Sequence, residues 1–301
     1  MWSFKEAKEM DPIFKTELGK LYCTDACKLM DYLINEGIEF QLIFADPPYN
    51  IGKAEWDYFP TQDEYLKWSI QWINKAGELL NEKGSLFVMG FSENLADIKY
   101  CAMRKCKWIL SCRWIIWHYR NKPQMGKNDF TRSHESLLWL RKSKNYTFYA
   151  DRIRVPYNIH TQKYPIRAQG QTSLFGSKKR YLWNPDIRGA KPRDVIDVPA
   201  VNNPSEENVD FPTQKPEELL RKIVWATTDK GDLVFDPFGG SGTTYVVCEQ
   251  LGRRWIGCEI KRDYNEIAIE RIKNIKRRKD PTYWAEKDLK SFEHRMKVRE
   301  G

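Results

Sequence analysis

A strand, a glycine-rich loop and a helix follow one another near the end of the chain, and this order limits the folds that the chain can adopt. The sequence predicts a strand at 232–235, a tight loop at 239–242 and a helix at 243–251, then a strand at 254–260 and a helix at 263–276. Strands joined through a crossover helix lie parallel, because a short hairpin connects only antiparallel neighbours. The pattern therefore predicts an α/β protein with a doubly wound sheet.

The first part of the chain shows the same alternation. Strands are predicted at 20–25, 40–45, 85–90, 109–117 and 136–140, and helices at 26–35, 61–82 and 94–105. A further helix opens at 212–216 and runs to about 228, with Thr213 or Gln214 as its cap and Pro216 in its first turn. With 301 residues and 41% hydrophobic content, the chain can bury one large core and carry an insertion.

Residues 151–194 differ from the rest of the chain in charge and pattern. They hold ten Lys or Arg and three Asp, so their net charge is 10 − 3 = +7, against +9 for the whole chain. Glycine and proline recur there and helical periodicity disappears, which predicts a loop-rich insertion. Its positive charge suits a polyanionic partner.

The seven cysteines and the apolar segments indicate the cellular compartment in which the protein acts. The cysteines lack the paired C-x2-C spacing of zinc sites, so we expect reduced thiols and no metal. The first residues lack the apolar core of a signal peptide, and no stretch reaches the length that crosses a membrane. We therefore expect a cytoplasmic protein without membrane contact.

The apolar run 40–45 ends in the motif Asp46-Pro47-Pro48-Tyr49. Proline fixes its own φ and keeps the residue before it extended, so the motif is a stiff arm at a strand end. Such an arm presents a carboxylate, a backbone carbonyl and an aromatic face. Considered alone, it is more typical of a strand-ending turn with a solvated Asp.

The glycine loop after the strand at 232–235 favours a nucleoside-containing ligand. Glycines between a strand and a helix let a ligand approach the backbone closely, and Glu259 after the next strand is placed to bind ribose hydroxyls. The loop lacks the Gly-Lys-Ser/Thr of a phosphate-binding P-loop, which argues against ATP and GTP.

Together these motifs resemble the DNA amino-methyltransferases that use S-adenosylmethionine, in the permuted order called the β class. Family members place D-P-P-Y early, a target-recognition region in the middle and D-P-F-x-G-S-G-T late, and this chain has the same order, with T-Q-K-P at 213–216. The resemblance covers about residues 20–275. It implies a Rossmann-like, doubly wound mixed sheet that ends in an antiparallel hairpin, with a loop-rich target-recognition insertion.

The resemblance also implies roles for single residues. Asp46 and the Pro47 carbonyl would accept hydrogen bonds from the target amine, and Tyr49 would stack on the extruded base. Lys215 would pair with the methionine carboxylate of the cofactor. The implied cofactor residues are Asp25, Lys215, Asp236, Phe238, Gly239, Gly240, Ser241, Gly242, Thr243 and Glu259.

Basic and polar residues in two regions are candidates for contacts with DNA. They are Arg120, Lys122, Arg132, His134, Lys178, Lys179 and Arg180. Phosphate contacts by such cations give affinity without sequence information. A solvated loop explains 120–128 equally well, and a local hydrogen-bonding pair explains His134 and Glu135.

The predicted organisation has five parts. They are an N-terminal extension (1–19), a catalytic half (20–150), a target-recognition insertion (151–205), a cofactor-binding half (206–280) and a charged tail (281–301).

The predicted activity is methylation of adenine N6 at a specific site in double-stranded DNA, since cytosine-N4 relatives usually carry Ser at the position of Asp46. Cytosine N4 is the first alternative, and an RNA or protein amino-methyltransferase and an inactive DNA-binding module are further ones. Expected partners besides DNA are a cognate restriction endonuclease and a second copy of the chain.

Overall fold

The computed structural model describes residues 10–53, 55–121, 128–170, 180–202, 205–209 and 211–275. Within that part, one compact unit takes the residues up to Phe148 and from Asp194 onward, and a second takes Tyr149–Arg193. The predicted tail at 281–301 and the first nine residues of the predicted N-terminal extension lie outside the described residues.

The first unit contains a nine-stranded sheet and six α-helices. Its strands are β1 (Phe14–Lys15), β2 (Gly19–Tyr22), β3 (Phe40–Ala45), β4 (Leu80–Gly90), β5 (Ser111–His118), β6 (His134–Arg141), β9 (Val195–Asp197), β10 (Leu233–Asp236) and β11 (Arg254–Cys258). Its helices are α1 (Ala26–Asn35), α2 (Gln62–Leu79), α3 (Ser92–Lys105), α5 (Glu217–Thr227), α6 (Thr243–Leu251) and α7 (Arg262–Lys273), and Glu55–Asp57 forms a 3₁₀ turn. The elements β7, β8 and α4 belong to the second unit.

The sheet has the order β1-β2-β11-β10-β3-β4-β6-β5-β9. The five strands from β2 to β4 run parallel, whereas β6 is antiparallel to both β4 and β5. The doubly wound mixed sheet is therefore confirmed. The β5–β6 hairpin does not end the sheet, because β9 pairs in parallel with β5 outside it.

Helices cover both faces of the sheet. Along β3, Ile43 packs into the core on the side of α1, α2 and α3, and its neighbours Leu42 and Phe44 pack into the core on the side of α5, α6 and α7. Successive strand residues point to opposite faces, so a strand covered on both sides reads as a continuous apolar run. This is why Phe40–Ala45 is buried throughout.

The boundaries of α2 and α5 differ from the sequence predictions. The helix predicted at 61–82 ends at Leu79, directly before β4, and the Lys142 ammonium donates to the Leu80 carbonyl at 2.5 Å. Helix α5 begins at Glu217, whose N–H donates to Glu207 Oε2 at 2.8 Å. Its N-cap is Pro216, so the prediction of Thr213 or Gln214 as the cap is wrong. The Gln214 side chain instead bonds backbone groups of Glu207 and Val209.

The second unit consists of short elements. They are a 3₁₀ turn (Ala150–Ile153), α4 (Ile159–Lys163) and a hairpin of β7 (Arg167–Gly170) and β8 (Arg180–Trp183). The buried Arg154 guanidinium binds Asp151 at 2.8 Å and Asp186 at 2.9 Å. Residues 194–205, grouped with the insertion in the sequence analysis, include β9 and lie in the first unit because β9 extends its sheet.

The structure also bears on the cysteine and membrane predictions. All seven cysteines have free thiols, and burial raises the pKa of Cys106 to about 11. Among the described residues, no three His, Cys, Asp or Glu are arranged to hold a metal ion. In the same residues, no helix combines the length and the apolar character needed to span a membrane.

Candidate active site

Three acids lie where neighbouring parallel strands end. Asp46 follows β3, Asp236 ends β10 and Glu259 follows β11, and these strands are adjacent in the sheet. Ligands of open α/β sheets bind at the carboxyl ends of the strands. A cavity of about 320 Å³ opens there, and its walls include Asp25, Asp46, Lys215, Asp236, Phe238, Gly239, Gly240, Ser241, Thr243 and Glu259. Every predicted cofactor residue except Gly242 therefore lines one cavity.

The glycine loop is held close to the sheet. Gly240 and Gly242 adopt φ of 48° and 76°, in the left-handed region that favours glycine. Behind the loop, the buried Arg271 guanidinium of α7 donates to the Ser241 carbonyl at 2.8 Å and to Thr243 Oγ1 at 2.9 Å. The loop backbone therefore has a fixed shape before any ligand binds.

Asp236 and Glu259 both accept hydrogen bonds from backbone N–H groups at this loop. Asp236 accepts hydrogen bonds from the Phe238 N–H at 3.0 Å and Thr244 Oγ1 at 2.5 Å, and burial raises its pKa to about 7. Glu259 accepts from the Gly240 N–H at 3.0 Å, and burial raises the pKa of its carboxyl. A carboxylate has about four lone-pair sites, so Glu259 retains capacity for ligand hydroxyls.

Asp25 has a second role in the structure. Its carboxylate caps α1 by accepting a hydrogen bond from the Lys28 N–H at 3.0 Å. The same side chain lines the cavity, so it can meet a ligand from the helix N-terminus.

A buried network surrounds the arm. Tyr49 Oη donates to Asp46 Oδ1 at 2.7 Å and to Glu135 Oε2 at 3.1 Å. Lys215 Nζ lies 2.6 Å from Asp46 Oδ2 and 3.8 Å from Glu135 Oε2. Burial alone lowers the pKa of Lys215, but Asp46 and Glu135 outweigh it and the pKa is raised. Burial and Asp46 hold the pKa of Tyr49 well above its usual value. Lys215 therefore stays charged and Tyr49 stays protonated.

Lys215 has partners within the protein that the sequence did not predict. The resemblance assigned its ammonium to the methionine carboxylate of a cofactor, and the structure pairs it with Asp46 and with the Thr213 carbonyl at 3.1 Å. It is a wall of the 320 Å³ cavity and also of a second cavity of about 120 Å³. Lys215 therefore links the two cavities electrostatically.

The arm presents one carbonyl without a protein donor. The Pro48 carbonyl accepts from Tyr65 Oη at 2.9 Å, and the Tyr49 carbonyl accepts from the Asn94 amide. Within the described part of the chain, no hydrogen bond reaches the Pro47 carbonyl. Asp46, Pro47 and Tyr49 all line the second cavity. An amine entering this cavity would meet the Asp46 carboxylate and the Pro47 carbonyl together.

Two of the residues predicted to bind DNA lie close to the arm. Arg132 stacks over Phe91 at 4.1 Å and pairs with Glu93 at 2.8 Å, and the Phe91 ring lies 5.0 Å from the Tyr49 ring. His134 Nε2 lies 3.4 Å from Oγ of Ser92, the first residue of α3.

The other predicted DNA contacts fall in three different settings. Arg120 is exposed, and Arg180 begins β8 in the second unit. Lys122, Lys178 and Lys179 lie outside the described residues.

Several residues of the site were not predicted from the sequence. For Glu135 a local pair with His134 and a functional role were equal alternatives, and the structure buries Glu135 against Tyr49. Phe211 and Tyr264 line the larger cavity and pack edge to face at 4.8 Å. Asp57 lines the smaller cavity and binds the arm's backbone. A polar residue next to His134 was a weak signal for Glu135, and no pattern marked the others.

The chain is similar in sequence to known DNA methyltransferases. Residues 40–270 match the sequence profile of a family described as DNA methylase. The type II methyltransferase M1.MboII of Moraxella bovis is 32% identical over 82% of this chain and 94% of its own length. The DNA adenine methyltransferase YhdJ of Escherichia coli (strain K12) is 33% identical over 77% of this chain and 75% of its own length.

Solved structures share the fold. The cytosine-N4-specific PvuII DNA methyltransferase aligns with a TM-score of 0.64 at 18% identity, over 95% of both chains. The complex of M1.HpyAVI with SAM aligns with a TM-score of 0.55 at 22% identity, over 84% of this chain and 100% of that one.

Proposed function

The chain belongs to the DNA methylase family, and from that premise we propose that it methylates the N6 amine of adenine at a specific site in double-stranded DNA. It is an S-adenosylmethionine-dependent DNA methyltransferase. The observation that carries the proposal is the position of Asp46 and Lys215 in the walls of two cavities, one bounded by the glycine loop and the other by the arm.

The larger cavity fits the cofactor. Its 320 Å³ lies within the size range of small-molecule sites, and positive φ at Gly240 leaves the loop backbone open to close approach. Glu259 would take the ribose hydroxyls, and the aromatic pair Phe211 and Tyr264 offers faces for an adenine ring. S-adenosylmethionine supplies an electrophilic methyl group on a sulfonium when bound.

Asp46 and Pro47 would activate the target amine in the second cavity. An exocyclic amine is a poor nucleophile because its lone pair is delocalised into the ring. Two acceptors on its hydrogens localise that lone pair and stabilise the positive charge that develops. Asp46 would also accept the proton that the methylated amine has to lose. Its carboxylate pairs with Lys215 Nζ at 2.6 Å.

The remaining assignments rest on chemistry and on relatives. A base has to leave the duplex to reach such a cavity, and we propose that Tyr49 stacks on it and offsets part of the unstacking cost of a few kcal/mol. The relatives named as type II methyltransferases support a cognate restriction endonuclease as partner, and DNA as substrate supports action in the cytoplasm. We keep a homodimer as a proposal.

Product analysis tests the activity. Unmethylated plasmid DNA is incubated with the purified chain and S-adenosylmethionine, and its nucleosides are separated by mass spectrometry. We expect N6-methyladenine, and sequencing that detects modified bases would give the target site. N4-methylcytosine as the product would overturn the assignment to adenine, and unmodified DNA would overturn the proposed activity. Asp46→Ala is the matched control, expected to lose transfer but to bind S-adenosylmethionine like the wild type.

A further inference from the structure

The residues after Pro48 wrap around one carboxylate. Asp57 Oδ1 accepts from the backbone N–H groups of Tyr49 at 2.6 Å and Asn50 at 2.7 Å. Asp57 Oδ2 accepts from those of Ile51 at 3.2 Å and Lys53 at 3.1 Å. The Gly52 N–H donates to the Asp57 main-chain carbonyl at 3.2 Å. Five consecutive backbone N–H groups therefore point at a single residue, which is 1% exposed.

This backbone is shaped to hold an anion. Asn50 and Gly52 have φ of 55° and 70°, and Asn50 is the one non-glycine residue in the described part of the chain with positive φ. Alternating backbone of this kind turns successive N–H groups toward one point and forms an anion-binding concavity. A non-glycine residue in the left-handed region costs free energy and persists only where its surroundings hold it. Here the anion is supplied by the chain itself.

Tyr49 connects this carboxylate to the acceptors of the reaction. Its backbone N–H is held by Asp57, and its phenol donates to Asp46 Oδ1 at 2.7 Å. We propose that Asp57 is a positioning residue for methyl transfer, which fixes the backbone of the arm so that Asp46, Pro47 and Tyr49 face the second cavity together. This inference rests on the proposed function of the arm.

The contacts of Asp57 separate positioning from catalysis. Its two oxygens already accept four N–H groups, so little capacity is left for a substrate. It lies away from the glycine loop and is not a wall of the larger cavity. A change at Asp57 should therefore alter the rate of transfer and leave cofactor binding in place.

Asp57→Asn is the direct test, because Asn has nearly the same shape but loses the charge and replaces one acceptor oxygen by an NH2 donor that faces backbone N–H groups. We expect kcat to fall about 10- to 100-fold, as small misplacements of reacting groups can cost that much. The dissociation constant for S-adenosylmethionine, measured by calorimetry, should stay within about twofold. Asp63→Asn, an exposed change in the first turn of α2, is the control with the same loss of charge and should match the wild type.

A double-mutant cycle with Tyr49→Phe distinguishes positioning from general damage. If Asp57 acts through the arm, the two changes affect one unit and their effects on kcat should not add. Additive effects, an unchanged kcat in Asp57→Asn, or equal losses in kcat and cofactor affinity would each overturn the inference. Wild-type protein that does not methylate DNA would overturn the proposed function, whereas an active wild type with an active Asp57→Asn variant would overturn this inference alone.

Discussion

Replacing Asp236 by Asn removes a carboxyl group that burial keeps partly protonated near neutral pH. Burial raises the pKa of this group from 3.8 to about 7, against the hydrogen bonds from Thr244 and Phe238, which lower it. Asn is nearly isosteric and keeps one acceptor oxygen for those donors, but it does not ionise. The pH dependence that Asp236 gives to folding should therefore disappear in this variant.

The size of the effect follows from the two pKa values. An acid with a higher pKa in the folded protein binds its proton more tightly there, so it stabilises the fold at low pH. This stabilisation is complete below about pH 4, declines as the pH rises and is lost above about pH 7. Each pH unit well inside that window corresponds to about 1.4 kcal/mol, and the slope halves where the pH reaches the folded-state pKa. Asp236 should therefore remove about 2.3 kcal/mol of unfolding free energy between pH 5 and 7.

Urea unfolding at pH 5, 6, 7 and 8 measures this contribution. The difference in unfolding free energy between Asp236→Asn and the wild type should shift in favour of the variant by about 2.3 kcal/mol from pH 5 to 7 and then level off. Asp263→Asn, an exposed change in the first turn of α7, should show no such trend. A difference that stays constant across the four pH values would refute the reasoning.

Three further predictions concern cations of the site. Lys215→Met should lower kcat at least about tenfold, because the Asp46 carboxylate loses the cation that lies 2.6 Å from it; a kcat within about twofold of the wild type would contradict the pairing with Asp46. Arg271→Ala should lower the unfolding free energy by about 3–5 kcal/mol and weaken S-adenosylmethionine binding in calorimetry, since it removes the cation beside Glu217 Oε1 and the donor to the glycine loop; unchanged binding would show that the loop keeps its shape alone. Arg132→Ala should raise KM for DNA and lower the slope of log K against log salt concentration by about one, the value for one phosphate contact. Arg104→Ala on α3 is the control, and an unchanged slope would exclude a phosphate contact.

The local signals in the sequence were sufficient for the scaffold. The predicted bounds of α1, α6 and β3 agree with the structure, because residues that begin or end such elements lie next to each of them in the sequence. Asp25 caps α1, Gly242 and Gly252 flank α6 with positive φ, and prolines follow β3. Such signals act over a few residues and can be read without tertiary information.

The partners of the site residues could not be read in this way. Lys215 and Asp46 are 169 positions apart in the sequence, and only the pairing of β10 with β3 brings their surroundings together. Asp57 binds backbone N–H groups, which every residue but proline carries and which therefore leave no sequence pattern. The edge strand β9 has three residues, too few for a periodic signal.

The second unit is a single insertion between two segments of the first unit, and both of those segments are held by contacts within the first unit. Before it, Phe148 packs against Trp139 of β6 at 5.1 Å, and after it the Asp194 carbonyl accepts from the Ile116 N–H at 2.8 Å. Its own fold is held by the buried Arg154, whose described ion pairs, with Asp151 and Asp186, stay within the unit. The segment between Phe148 and Asp194 can thus be replaced without changing the sequence of the strands that carry the acids. In a lineage of such enzymes, this segment and the strands that carry the acids are therefore free to change at different rates.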